Sequence, residues 1–161
     1  MAKKTPKTYA IGEGAKAPAV AGPATSGLKI SAKDFKGKAV VLYFYPKDNT
    51  PGCTLEGQDF RKLFKQFADN DAVIVGVSQD SVASHEKFKS KCDFPFELLS
   101  DESGELSKAF DVVHLKNMYG REFMGIERST FVIKGGKILK EWRKVKVAGH
   151  AKEVLDFVKG L

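Results

Sequence analysis

The chain has 161 residues, a formal net charge of +7 and 42% hydrophobic residues, twelve of them phenylalanine. That length suits one domain with a real core, and the composition is not that of a disordered chain. The lysines alternate with acids, as in Lys87, Lys89, Lys91 and Asp93, and no zinc-finger, RNP or basic-helix pattern accompanies them. The charge therefore reads as solubility and steering, not as a nucleic-acid site. No apolar run could span a bilayer. Met1–Tyr9 carries Lys3, Lys4 and Lys7 without the apolar stretch of a secretory signal. Two cysteines do not make a disulfide scaffold. A cytoplasmic protein without a membrane or nucleic-acid partner is expected.

One domain is expected over 1–161, with 1–16 as a loose N-terminal arm. After it, Gly27–Ile30 reads as extended and Ser31–Phe35 as one helical turn. Ala39–Tyr45 is a continuous apolar, β-branched and aromatic run between Gly37 and Pro46, the pattern of a strand buried on both faces. A loop over 46–52 precedes a helix in which Phe60, Leu63, Phe64 and Phe67 share one side. Ala72–Val77 is a second buried strand, and Ser81–Cys92 a helix. Phe96–Leu99 reads as a short strand, Glu105–Phe110 as a short helix and Val112–Gly125 as an irregular loop. Ser129–Ile133 and Lys137–Arg143 pair through a turn at Gly135-Gly136, and His150–Val158 closes the chain as an amphipathic helix. Alternating strands and helices imply an α/β class with a mixed central sheet flanked by helices. The final hairpin and helix are what a thioredoxin-like fold needs.

The most informative stretch is Pro46-Lys-Asp-Asn-Thr-Pro-Gly-Cys53. Thr50 is a good N-cap, its hydroxyl able to accept from an N–H two or three residues on. Pro51 suits the first helical position, which puts Cys53 in the first turn. Unpaired N–H groups and the positive end of the helix dipole favour a thiolate there. Such a nucleophile beside a hydroxyl is suited to attack on an O–O bond. The alternative is a small buried hydrophobe, against which the flanking Gly, Thr, Pro and Asn argue. Arg128 precedes the predicted strand at 129–133. If that strand neighbours 39–45, its guanidinium reaches the same end of the sheet as Cys53 and could bind a peroxide oxygen together with Thr50. A solvated surface arginine fits the spacing equally well.

Pro46-x-x-x-Thr50-x-x-Cys53 resembles the peroxiredoxin signature, and residues 43–56 resemble its PrxQ (bacterioferritin comigratory protein) form. Glu127–Ile133 is similar to the family's second signature, and segments 76–81, 98–101 and 142–150 are similar to further PrxQ segments. The likeness runs from about Ala17 onward. It implies a peroxiredoxin fold and a thiol-dependent peroxidase that reduces hydrogen peroxide and organic hydroperoxides. Cys53 would be the peroxidatic cysteine, oxidised to a sulfenic acid. Thr50 would bind the sulfur and the peroxide, Pro46 would shield the pocket from water, and Arg128 would stabilise the developing charge. Thioredoxin or a similar dithiol would recycle the enzyme, a monomer needing no cofactor. Glu56 would orient an arginine, with Arg143 a candidate for that second cation, or be an exposed first-turn acid.

The chain departs from the family at the resolving cysteine. The two positions that carry it in PrxQ proteins are Gln58 and Lys89 here, and Cys92 lies nearly one helical turn beyond the second. Cys92 either resolves Cys53 as an intramolecular disulfide after local unwinding, or is passive, leaving a one-cysteine peroxidase resolved by an external thiol. His85, His114 and His150 show no metal-ligand spacing and no carboxylate partner, and read as surface or loop residues. Met118-Tyr119 would line the pocket mouth or pack within its loop. A dithiol–disulfide oxidoreductase would want Cys-x-x-Cys, and position 56 is Glu.

Overall fold

The computed structural model describes residues 9–161. A small pair, β1 (Gly22–Pro23) and β2 (Lys29–Ile30), is followed by a single 3-10 turn over Ala32–Phe35. Then come β3 (Ala39–Phe44), α1 (Pro51–Asp69), β4 (Ala72–Ser78), α2 (Val82–Cys92), β5 (Glu97–Ser100) and α3 (Glu105–Ala109). The chain ends with β6 (Val113–Met118), β7 (Arg121–Ile126), β8 (Ser129–Lys134), β9 (Lys137–Trp142) and α4 (His150–Lys159).

Five strands form the central sheet in the order β5-β4-β3-β8-β9. The β3–β4 and β4–β5 pairs are parallel, and β8 and β9 are antiparallel to their neighbours. Every residue of β3 is buried, as its unbroken apolar run predicts for a central strand covered on both faces. Val41, Tyr43 and Tyr45 face one core with Phe60 and Phe67 of α1 and Val154 and Leu155 of α4. Val40, Leu42 and Phe44 face the other, with Leu106, Phe110 and Phe131. The alternation along the strand divides its side chains between two layers.

Two expectations are corrected. Residues 1–8 lie outside the described residues, but 9–16 are not loose. Gly14 N–H donates to the Ile138 carbonyl (2.8 Å) and Ile138 N–H to the Ala15 carbonyl (3.0 Å), so this segment pairs with the start of the outer edge of β9. Polar and Gly-rich composition is silent about such pairing because it is made by the backbone. The irregular loop over 112–125 is a β-hairpin, β6 with β7, from Val113↔Ile126 to Met118↔Arg121. Its strands carry Lys, Asn, Arg and Glu and stay largely exposed, which hides the alternation that marks a half-buried strand.

Candidate active site

The β3–β8 register decides where the two key residues meet. Phe44 pairs with Ser129, so the end of β3 and the start of β8 lie side by side. The loop after β3 leads to α1 and Cys53, while Arg128 immediately precedes β8. Thr50 is the N-cap with extended backbone, Pro51 the first helical residue and Cys53 the third. The first helical hydrogen bond runs from Thr54 N–H to the Thr50 carbonyl (2.9 Å), so the helix itself cannot use the N–H groups of Gly52 and Cys53. The Thr50 hydroxyl makes no capping bond. It donates backward to the Lys47 carbonyl at 2.8 Å, which closes the loop and corrects the expected direction.

Cys53 is 2% exposed. Arg128 Nη2 donates to its sulfur at 3.3 Å, and Nη1 to Glu56 Oε1 at 2.6 Å. Gly52 makes room: a Cβ there would lie 3.2 Å from Nη2. Burial opposes the charge on Arg128, but Glu56 and Cys53 outweigh it and hold the guanidinium more firmly protonated than usual. Glu56 is 1% exposed, not a solvated first-turn acid, and the arginine it orients is Arg128. Burial pushes its carboxyl up to about 7, against the downward pull of Arg128. Glu56 Oε2 and the Tyr43 hydroxyl are both buried without a hydrogen-bond partner. Tyr43 is pushed well up by burial first, then by the negative charges of Glu56 and Cys53. Lys116, on β6, is lowered by burial and by Arg128, and feels the opposing pull of Cys53. Sequence spacing misses Lys116 because only the hairpin brings it to the site. Pro46 is exposed where β3 gives way to the loop.

Residues 13–141 match the AhpC/TSA family. Peroxiredoxin Bcp of Bacillus subtilis (strain 168) is 53% identical over 149 residues, covering 92% of this chain and 95% of the relative. The chain is a peroxiredoxin. Peroxiredoxin Bcp of Xanthomonas campestris pv. campestris is 50% identical over 136 residues, 84% of this chain and 85% of the relative. Among solved structures, peroxiredoxin Q of Xanthomonas campestris superposes with a TM-score of 0.83 at 48% identity, covering 88% of this chain and 90% of that one. A PrxQ mutant from Xylella fastidiosa gives 0.85 at 41% identity, with 98% of both chains covered. The protein thus belongs to the Bcp/PrxQ class on a thioredoxin-like fold, and is a thiol peroxidase, an oxidoreductase.

Elsewhere in the peroxiredoxin, Cys92 ends α2, 7% exposed and free, and burial pushes its thiol up. Both cysteines belong to the same buried cluster. Arg143 is not the second cation. Its Nε binds Glu141 at 2.8 Å, its Nη groups reach the carbonyls of Asp111 and Ile11, and it stacks over Tyr9 and Phe131. Met118 and Tyr119 sit exposed at the hairpin tip. The histidines also differ from expectation. His85 is fully buried against Asp48, His150 is buried against Thr130, and His114 lies near Asp111 and Glu127. Asp48, Thr130 and Glu127 are distant in sequence from their histidines, whereas Asp111 precedes His114 by only three residues and is a carboxylate partner legible in the chain. Ligand atoms of Asp48, Asp80 and His85 lie within 4.8 Å of one another, and hydrogen bonds knit the three acids and bases together. No described helix is long and apolar enough to cross a membrane.

Proposed function

We propose that this peroxiredoxin reduces hydrogen peroxide and organic hydroperoxides through Cys53, and that Cys92 resolves the oxidised enzyme. The contact between Arg128 Nη2 and Cys53 Sγ, 3.3 Å, carries the first part. A guanidinium directed at the sulfur, with the unpaired N–H groups of the helix start in the same turn, can hold a peroxide oxygen and stabilise the charge that develops on it. The thiolate attacks the terminal peroxide oxygen, an S–O bond forms and the O–O bond breaks. The alkoxide or hydroxide leaves and takes a proton, giving alcohol or water and a Cys53 sulfenic acid. Thr50 has committed its proton to Lys47, so its oxygen is left to accept from the peroxide O–H. Pro46 shields the pocket. An organic substrate is supported by a 47% identical structural neighbour, the bacterioferritin comigratory protein of Xanthomonas campestris, described in connection with alkyl peroxide reduction.

Resolution follows when the Cys92 sulfur attacks Cys53. An S–S bond forms, the S–OH bond breaks, and the hydroxyl leaves as water with the thiol proton. A dithiol protein of the thioredoxin type then reduces the disulfide, in the cytoplasm and on a monomer. The burial of Cys92 favours a second reading, an external thiol acting on the sulfenic acid while Cys92 stays passive. Mass spectrometry after one equivalent of peroxide separates the two. An intramolecular 53–92 disulfide is expected, and a persistent sulfenic acid with Cys92 free overturns the resolving role. Cys53→Ser is expected to abolish peroxide consumption, and retained turnover overturns the whole reading.

A further inference from the structure

A disulfide requires Cα atoms within about 7 Å and a fixed geometry at the sulfurs, and Cys53 and Cys92 are buried free thiols on two different helices. A buried polar cluster joins the loop leading to Cys53 and the helix ending in Cys92. Asp48 lies in the loop between β3 and α1, five residues before Cys53, and its side chain is 4% exposed. His85 and Ser84 lie in the first turns of α2, and the His85 side chain is fully buried. His85 Nδ1 meets Asp48 Oδ2 at 2.7 Å, and Nε2 meets the Leu99 carbonyl at 3.0 Å. Each ring nitrogen is thus held by a buried partner, one on the Cys53 loop and one on β5. Ser84 Oγ donates to the same Asp48 oxygen at 2.8 Å, and Tyr45 Oη to the other at 2.6 Å. Two outer ties run alongside. Asp48 N–H donates to Asp80 Oδ2 at 2.9 Å, and Lys91 Nζ donates to Asn49 Oδ1 at 2.7 Å.

We propose that Asp48 and His85 are a positioning pair that clasps the Cys53 loop to the Cys92 helix, and that release of this clasp gates the step joining Cys53 to Cys92. Its gating of resolution rests on the resolving role proposed for Cys92. Neither side chain touches the sulfur, and the peroxide step needs neither. In that step's product, the Cys53 S–OH bond must break as the S–S bond to Cys92 forms and water leaves, and the clasp sets how often the two sulfurs can meet. A buried, fully hydrogen-bonded pair is costly to open by one partner at a time, so the clasp prolongs the sulfenic acid and exposes it to a second peroxide.

The test compares wild type, His85→Gln, Asp48→Asn and the double variant, with Val154→Ala on α4 as a control for general destabilisation. Stopped-flow measures the peroxide step and the disulfide step separately, and mass spectrometry measures sulfinic acid per turnover. His85→Gln is expected to speed the disulfide step about tenfold and lower sulfinic acid in parallel, with the peroxide step within about twofold. The double variant is expected to add little to either single one, as a coupled pair requires. An unchanged disulfide step in His85→Gln, or the same change in Val154→Ala, overturns the gating role. Should wild type form no 53–92 disulfide, the resolving role of Cys92 fails by itself. Amide exchange on the reduced proteins still decides the clasp: His85→Gln must speed exchange jointly in residues 50–56 and 86–92, and protection equal to wild type overturns it.

Discussion

The two ends of the Arg128 guanidinium do separate work, one held by Glu56 Oε1 and the other directed at Cys53 Sγ. A lysine ammonium cannot span both partners in a fixed fork. Arg128→Lys is therefore expected to slow the reaction with peroxide by roughly a hundredfold, read as the second-order rate of sulfenic acid formation, while the fold survives by thermal melting. Glu56 makes a different prediction. Its carboxyl titrates at about 7, above the ordinary 4.5, so between those values the native state holds more protons than the unfolded chain. That contribution to stability is complete below pH 4.5 and is lost as pH rises through 7. Glu56→Gln keeps an oxygen for Arg128 and removes the titration. Urea midpoints of the variant are expected to lose this decline between pH 5 and 7.5, and an unchanged profile would show that Glu56 is ionised throughout.

At the level of elements, α1 owes its seat to one small residue as much as to its apolar stripe. Phe60 and Phe67 are fully buried against β3, as the period predicts. Gly57 lies on the same helix beneath Phe94, and a Cβ there would collide with that ring. Phe94 in turn stacks on Phe96 at 5.0 Å and meets Phe88 edge-on at 5.1 Å. Gly57→Ala would raise helix propensity but is expected to cost about 1–3 kcal/mol through overpacking, measured by urea unfolding. A stabilised variant would show that Phe94 moves aside freely. The same aromatic group lies just past Cys92, so looser packing there is expected to appear as faster labelling of the Cys92 thiol.

For the whole molecule, the edge of β9 and a buried histidine set the remaining expectations. Gly14 and Ala15 pair with Ile138 at the start of β9 by backbone bonds, and removing the segment through residue 16 is expected to lower the melting temperature by on the order of 5 °C and promote self-association through the bared edge. Light scattering and melting check it; a monodisperse, equally stable truncation refutes it. His150, between α1, β8 and Trp142, is lowered by burial to about 4. The unfolded chain therefore binds the extra proton between 6.5 and 4, and stability falls as pH falls through that window. This slope opposes that of Glu56 where the windows overlap. His150→Gln is expected to remove the acid-side loss, seen as a flatter stability profile between pH 6.5 and 4.

Buried strands and amphipathic helices were legible in the chain because side-chain periodicity is itself the cause of burial, as in Ala39–Tyr45 and in Phe60 and Phe67. The placement of Cys53 was legible for a similar reason: Thr50, Pro51 and Gly52 are local helix-start chemistry. Contacts between distant segments were not. Arg128 could be matched to Cys53 only once β8 was known to lie beside β3. Arg143 was drawn away by Glu141 and two backbone carbonyls, His85 found Asp48 across two elements, and the 9–16 segment found β9 through backbone atoms common to every residue. Sequence alone determined the place of Cys53 in the first turn of its helix and the elements that hold it, since those follow from neighbours along the chain. Tertiary structure decided which cation, which acid and which helix surround the sulfur, since those depend on strand order and register.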